Sequence, residues 1–489
     1  MKLVFIASLL FIASACAQEP RAPQASPPPD AGQQTQPQPQ QPAVPEAPPE
    51  VEPEETVSAD APRPLDYGGP AILSRGGSAR ISQGGDFVNL RPFVTLNGIY
   101  DSGLAITTLD SEGKVPFHSA FGVESIFGVT GAHAWRTAAL ELDYRGSLRH
   151  YTENSYYDGF DNSLELAYKK RLSPRTSVVL GQNAAYYSRA FSLPISGFYN
   201  AGFNAYDPNF AGLTTNDLFD TPTLALLTSG RIVHQMTPRL SFSAGGNGFF
   251  VRRRSKELFG SNGATATGDV AYRLTRYQTI SVGYSFTHFD FEKLYGQSDM
   301  HGVMAGYSVR IGRNWELALL AGAFRVESIR NTRVELDPVI AAILGQKFGI
   351  EKFYDVVYIP RYGAHLTRRF RRASATFGYD RTVLAGNGIY ATSSYEIANF
   401  GLSYQGSRRL SIQAGANYTR YSSLTLSIGR YRSYSGGVGF GYLLAKGLSL
   451  LGRIDQRHYE VQSSELNRAY YRATLGFGWS PSEYPLALW

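Results

Sequence analysis

The chain has 489 residues, of which 18 % are charged and 13 % aromatic, with 50 glycines and one cysteine. Soluble globular domains carry closer to 25 % charged residues, so the composition indicates another class of protein, and a single cysteine excludes a disulfide framework. Residues 18–70 hold 15 of the 26 prolines, nine acidic and two basic side chains. The chain therefore divides into an acidic tail and a basic body.

The first 17 residues have the pattern of a secretory signal peptide. Lys2 supplies a positive start, residues 3–13 are apolar or small, and Ala15 and Ala17 flank Cys16 as small residues that a signal peptidase reads. Cleavage after Ala17 would remove the thiol. The alternative, in which Cys16 becomes a lipidated N-terminus, stays open.

Residues 18–84 form a segment rich in proline, glutamine and glutamate. It lacks the apolar residues that could offset chain entropy, so a disordered periplasmic linker is predicted. Proline-rich segments are pre-extended ligands, so docking to a periplasmic partner is the functional alternative to a solvated spacer.

The body repeats a basic turn-like cluster. The clusters are centred near Trp135, Ser173, Thr237, Thr275, Gly312, Thr367, Ser407 and Lys446. Such regular spacing indicates one supersecondary unit copied along the chain. Two longer steps hold insertions at 190–222 and 337–353, and the sequence around the second, 335–355, predicts a short helix with Pro338 near its start.

Inside each unit the apolar period is two, as in residues 278–287, 410–419 and 471–479. This alternation predicts strands with one apolar and one polar face, and a polar face of Ser, Thr, Gly and charge suits a wet lumen. No apolar run after Ala17 has the length of a membrane helix, which leaves a closed barrel as the spanning structure. The predicted fold is an all-β, transmembrane, antiparallel up-and-down barrel over residues 85–480, followed by a tail, 481–489.

Eight turns and two flanking strands give 18 strands, with 16 as the alternative if one hairpin lies outside the membrane. The signal peptide, the alternation, the short turns and the aromatic last strand resemble those of bacterial outer-membrane β-barrels, in particular beta-barrel porins. The resemblance implies an outer-membrane location with turns and N-terminal tail in the periplasm. One departure is that PSEYPLALW follows Trp479, whereas such barrels usually finish on the last strand's aromatic residue.

The alternation predicts which charged side chains face the lumen. They are Glu141, Asp143, Arg145, Arg149, Arg273, Arg310, Arg361, Arg453, Asp455 and Arg457. A basic, water-filled lumen would favour anionic solutes. Equally, these charges could be solvated or paired with one another without selecting a solute.

Two sets of loop residues are further candidates. Residues 191–221 fall in the third outward connection and contain Asp207, Asp217 and Asp220. The resemblance to porins, whose third loop folds into the pore, implies that these residues form an acidic constriction opposite a basic wall. Arg252, Arg253 and Arg254 near an outward strand end predict contact with lipopolysaccharide phosphates, since arginine recognises phosphate well.

The sequence predicts a porin-like channel for small hydrophilic, anionic or sugar-like solutes, without enzymatic activity, metal or other cofactor. The alternatives are a barrel of an exopolysaccharide export or envelope-assembly system, and a membrane hydrolase. The hydrolase is disfavoured because His288 and Asp290 share a strand face that Ser285 does not. The implied partners are outer-membrane lipid, lipopolysaccharide and the barrel-assembly machinery, with a homotrimer as a candidate assembly and nucleic acid excluded by export.

Overall fold

A computed structural model of the chain describes residues 87–105, 117–152, 157–188, 222–254, 258–291, 296–335, 347–385, 392–405, 409–424, 430–462, 467–480 and 484–487. All of these ranges belong to one compact unit, residues 64–489. The predicted signal peptide with Cys16, the linker 18–84, and Asp207, Asp217 and Asp220 lie outside the described residues. Their assignments stay predictions.

The described residues form nineteen β-strands, all antiparallel to their neighbours. In chain order they are β1 (Phe87–Ala105), β2 (Phe117–Ala134), β3 (Ala138–Tyr151), β4 (Gly159–Ser173), β5 (Thr176–Tyr187), β6 (Thr223–Gln235), β7 (Leu240–Arg253), β8 (Ser261–Arg273), β9 (Gln278–Phe291), β10 (Gly296–Ile311), β11 (Trp315–Glu335), β12 (Phe348–Arg369), β13 (Ala373–Leu384), β14 (Ser393–Gln405), β15 (Leu410–Ser423), β16 (Tyr431–Ala445), β17 (Leu448–Val461), β18 (Asn467–Trp479) and β19 (Tyr484–Ala487).

Strands β1 to β18 close into a barrel in which each strand pairs with the next. The ring is completed by β1 and β18, which pair from Val94 opposite Trp479 to Ser102 opposite Tyr471. The predicted count of 18 is confirmed, and the alternative of 16 is wrong because every predicted hairpin belongs to the closed sheet. The short β19 continues beyond β18 and pairs with residues 87–90 of β1.

The two ends of the barrel differ in the length of their connections. Eight connections of two to four residues lie at one end, here called the turn end, and nine mostly longer ones lie at the other, the loop end. Gly312 and Gly447 in two of the turns have φ values of 62° and 82°, which glycine adopts without strain.

Two predicted segments differ in the structure. The sixth turn lies at 370–372, within the basic cluster 366–373 but beyond its predicted centre at Thr367, because β12 continues to Arg369. The predicted helix over 335–355 is replaced at both ends by strand, since β11 runs to Glu335 and β12 starts at Phe348. Residues 336–346 lie outside the described ranges. The ends of this insertion extend the hairpin ladder, and backbone pairing there satisfies the groups that a helix would have satisfied.

Alternate residues divide the closed sheet into two faces. One face carries large apolar side chains that are exposed, such as Val123, Val282 and Leu475. On the other face, side chains far apart in the strand order meet, as when the hydroxyl of Thr392, just before β14, donates to Ser298 Oγ of β10 at 2.6 Å. The second face is therefore the inside of the barrel, and the apolar face is outside.

The outer surface has the layout of a transmembrane barrel. Exposed aromatic residues near the turn end are Trp135, Tyr272, Tyr277, Phe370, Tyr404, Tyr442 and Trp479. Those near the loop end are Phe121, Phe160, Tyr186, Tyr354, Tyr358 and Tyr471. An apolar band between two aromatic girdles is the lipid-facing pattern of such barrels. In the part of the chain that the structure describes, no helix is long and apolar enough to cross a membrane.

Candidate functional site on the inner wall of the barrel

The inner wall carries all ten of the charged residues that alternation assigned to the lumen. Ladder pairing places them on the same face as one another: Arg149 lies opposite Glu124 of β2, Arg145 opposite Ser163 of β4, and Arg453 opposite Thr474 of β18. Their shared orientation follows from the period of two along each strand. What differs among them is burial and pairing.

A solvated group of charges lies on β3 and β4. Arg145 donates from Nε and Nη2 to the two oxygens of Asp143, each at 3.0 Å, and its side chain stays 53 % exposed. Lys169 and Glu141 approach to 3.7 Å and are each 40 % exposed. Exposed pairs of this kind contribute little to stability, so these charges remain available to a solute.

Nearer the loop end, a buried network joins both sides of the barrel seam. Arg149 donates to Asp161 Oδ2 at 2.8 Å, and its Nε lies 3.7 Å from Glu124 Oε1. Arg472 of β18 donates to the same Glu124 oxygen at 3.0 Å and lies 3.7 Å from Asp101 Oδ1. The network holds three carboxylates and two arginines, of which all but the 13 % exposed Arg472 are buried, and so links β1, β2, β3, β4 and β18.

Glycines let some charged side chains lie flat on the wall. Asp455 on β17 accepts from Arg453 Nε at 2.6 Å, and its carboxylate occupies the space above Gly437 on β16. A Cβ at Gly437 would collide with that carboxylate. The guanidinium of Arg457 lies 5.7 Å from the centre of the Tyr470 ring and is buried. Of these three charges, Arg453 is the most accessible from the lumen.

Arginine predominates inside the turn end. Arg310 and Arg369 both bind Glu316, Arg310 through Nε at 2.9 Å and Arg369 through Nη2 at 3.1 Å. Arg273 donates to the carbonyl oxygen of Pro238 at 2.6 Å. Because two arginines share one carboxylate here, this mouth of the lumen has a positive local field.

A recess in the middle of the wall brings two more arginines together. Arg231 donates to Asp269 Oδ1 at 2.8 Å, and the guanidinium of Arg361 stacks over the Phe324 ring at 5.2 Å. Gly283 and Gly306 help to line the recess. The absence of side chains at these glycines gives a solute access to the arginines.

The inner wall of β7 and β9 to β13 carries an apolar cluster toward the loop end. Its buried members are Phe249, Phe259, Phe289, Phe291, Met300, Phe324, Val326, Ile359, Val383 and Ala385. Phe289 has no exposed surface. Simple alternation does not predict this cluster, because Phe289 and Phe291 occupy positions of β9 that are otherwise polar. That reversal of phase is the sequence signal for it.

Several solved structures are similar to this chain. Pseudomonas aeruginosa OccK2 (OpdF) is 12 % identical with a TM-score of 0.39, covering 80 % of this chain and 98 % of that one. A BenF-like porin from Pseudomonas fluorescens Pf-5 is also 12 % identical, with a TM-score of 0.39 and coverages of 82 % and 99 %. Pseudomonas aeruginosa OccK5 (OpdH) is 12 % identical with a TM-score of 0.40, covering 83 % of this chain and 100 % of that one. These likenesses assign no role to any residue.

No protein-family model matches the chain, and no curated protein sequence matches it.

The three arginines near the loop end of β7 do not share one surface. Arg252 and Arg254 are exposed, whereas Arg253 points inward, is buried and donates from Nη1 to the carbonyl oxygen of Phe259 at 3.0 Å. The expectation that Arg253 contacts lipopolysaccharide is therefore wrong. Successive residues of a strand face opposite sides, so three consecutive arginines cannot line one rim.

The residues considered for a hydrolase do not come together. His288 Nδ1 lies 2.7 Å from Asp299 Oδ1 on the outer face, while Ser285 is buried on the inner face. Among the described residues, no group of three histidine, cysteine or acidic side chains is arranged to hold a metal ion.

A row of charges that the sequence pattern did not predict crosses the outer face. Register aligns Arg381, Glu396, Arg420, Arg432 and Glu460 across β13 to β17 near the loop end. Ten residues separate Leu410 from Arg420 on β15. That is about 33 Å of strand, or about 25 Å in height at a tilt of about 40°. The row therefore marks the border of the lipid-facing band at the loop end.

Proposed function

We propose that the protein is a porin-like outer-membrane channel that passes small hydrophilic solutes and mildly favours anionic or sugar-like ones. The observation that carries this proposal is the solvated charge inside a barrel whose outer face is apolar, with Arg145 at 53 % exposure. Single-chain bacterial barrels have an even strand number and short periplasmic turns, so the turn end faces the periplasm.

The mechanism follows from the inner wall. Water solvates Arg145, Lys169 and Glu141, so a hydrated solute crosses this level without losing its water. The arginines at the turn end and in the central recess bias entry toward anions, because rings of charge set which ions a pore admits. The paired carboxylates keep that bias mild.

Single-channel conductance in a planar bilayer under a salt gradient tests the proposal. We expect a steady conductance and a reversal potential of the sign for anion preference, reduced by Arg145→Gln and unchanged by Arg252→Gln on the outer face. A stably inserted barrel without conductance would overturn the channel. It would favour the export or assembly alternative, which a loss of partner binding on deletion of residues 18–70 would then support.

A further inference from the structure

The turn end carries a rim of exposed basic side chains. Each of the eight turns contributes at least one exposed arginine or lysine: Arg136, Arg175, Arg239, Arg276, Arg313, Arg371, Arg372, Arg409 and Lys446. None of the eight turn segments contains aspartate or glutamate. The connections at the loop end, in contrast, carry both signs of charge, so the rim is specific to one end.

The rim lies directly beside the aromatic girdle of the turn end. Tyr277 and Phe370 lie in the same turns as Arg276 and Arg371, and both rings are exposed. Aromatic girdles of membrane proteins mark the level of lipid headgroups. Basic side chains just beyond the girdle therefore lie at the height of the headgroup phosphates.

The densest part of the rim is the turn between β12 and β13. The guanidinium of Arg368 faces outward and contacts two rings, 4.6 Å from the centre of Trp315 and 4.5 Å from that of Phe370. Contact with two ring faces restrains the guanidinium while its N–H groups can still bind an anion. Arg371 and Arg372 follow within four residues and are exposed.

We infer that this rim binds anionic glycerophospholipids of the periplasmic leaflet, with Arg368 and Arg371 forming the strongest site. A phospholipid fits both the basic rim and the aromatic girdle, since the guanidinium groups recognise its phosphate and the girdle contacts its acyl chains. The acidic segment 18–70 is the rival occupant, since its nine carboxylates complement the same arginines, but it has neither a phosphate nor an acyl chain. The inference rests on the proposed function only for the orientation of the barrel, in which the turn end faces the periplasm. It does not require the barrel to conduct ions.

Native mass spectrometry of the full chain, released from nanodiscs of equal phosphatidylglycerol and phosphatidylcholine, tests the inference. We expect the retained lipid to be enriched in phosphatidylglycerol by roughly fivefold or more, since each basic residue near an anionic surface adds attraction. Arg368→Gln with Arg371→Gln should remove most of the enrichment. The matched control, Arg145→Gln with Lys169→Gln on the inner wall, removes the same charge away from lipid and should retain the enrichment.

Two further measurements, at raised salt and after deletion of residues 18–70, test the inference independently of the double variant. If the double variant fails to fold, raising the salt to about 0.5 M must lower the enrichment of the wild-type chain, because screening weakens exposed charges. Equal retention of both lipids by the wild type, or equal losses in the two double variants, would overturn the inference. Enrichment that appears only after deletion of residues 18–70 would also overturn it, in favour of the acidic segment as the occupant.

Discussion

Arg145 and Arg149 lie four residues apart on β3 and point to the same side, yet their surroundings are opposite. The side chain of Arg145 is 53 % exposed, and that of Arg149 is 2 % exposed. Across the ladder, Arg145 faces Gly128 and Ser163, whereas Arg149 faces Glu124 and Gly159 with Asp161 within reach. The partners on neighbouring strands, rather than the residue itself, decide whether a lumen charge serves a solute or the fold.

The apolar part of the inner wall gives the largest expected effect. Phe289→Ala should lower the free energy of unfolding by about 3–5 kcal/mol, because it opens a cavity in a fully buried cluster. Guanidinium unfolding of the refolded barrel in vesicles measures this. Phe121→Ala on the lipid face is the control and should cost less, since lipid can fill the space. Equal costs would show that the inner cluster is not packed like a core.

Removing Arg149 tests the buried network directly. Arg149→Gln leaves Asp161 and Glu124 short of a cation, and breaking a buried pair in this way costs about 3 kcal/mol. Arg145→Gln in the same unfolding assay should change stability by no more than about 0.5 kcal/mol. Adding Asp161→Asn to Arg149→Gln should restore part of the loss. The contrast between the two arginines would be refuted by similar costs at both positions.

The alternation of the sequence was sufficient to predict the strand number and the inward face of the lumen charges, because a period of two is a local property. Burial of Arg149 was out of reach, since its network joins residues as distant as Asp101 and Arg472. Arg253 is different: three consecutive arginines on a strand already implied that the middle one faces the other way. The helix predicted over 335–355 is wrong at its two ends, where Glu335 and residues 348–355 pair as strand. Its apolar run, 339–344, lies outside the described residues.

Gly437 lies beneath the Asp455 carboxylate, and a substitution there should have a smaller effect on stability than the loss of Arg149. Gly437→Ala should push the Asp455 carboxylate off the wall and break its bond to Arg453, at about 1–3 kcal/mol for overpacking. Single-channel conductance should fall as the carboxylate moves into the lumen. Gly436→Ala, on the outer face of the same strand, is the matched control. Unchanged conductance alongside an intact Arg453 pair would contradict the prediction.

Arg145→Gln should have the smallest effect on stability and the clearest effect on ion selectivity. Arg145→Gln should lower the ratio of anion to cation permeability while leaving the unfolding midpoint nearly unchanged, because its pair with Asp143 is exposed. The reversal potential under a salt gradient measures the ratio. Asp143→Asn should move the ratio in the opposite direction. Shifts of the same sign in both variants would exclude a direct electrostatic role.

The pairing of β19 with β1 has a consequence for how this chain can be cut or fused. Residues 87–90 extend past the end of β18, and on that side their backbone partners are residues 484–487. A chain truncated after Trp479 would leave this stretch of β1 with an open hydrogen-bonding edge, and open edges recruit strands from other molecules. Residues 484–487 therefore cover an edge that would otherwise be open, and an affinity tag is better placed in a loop-end connection than in exchange for them.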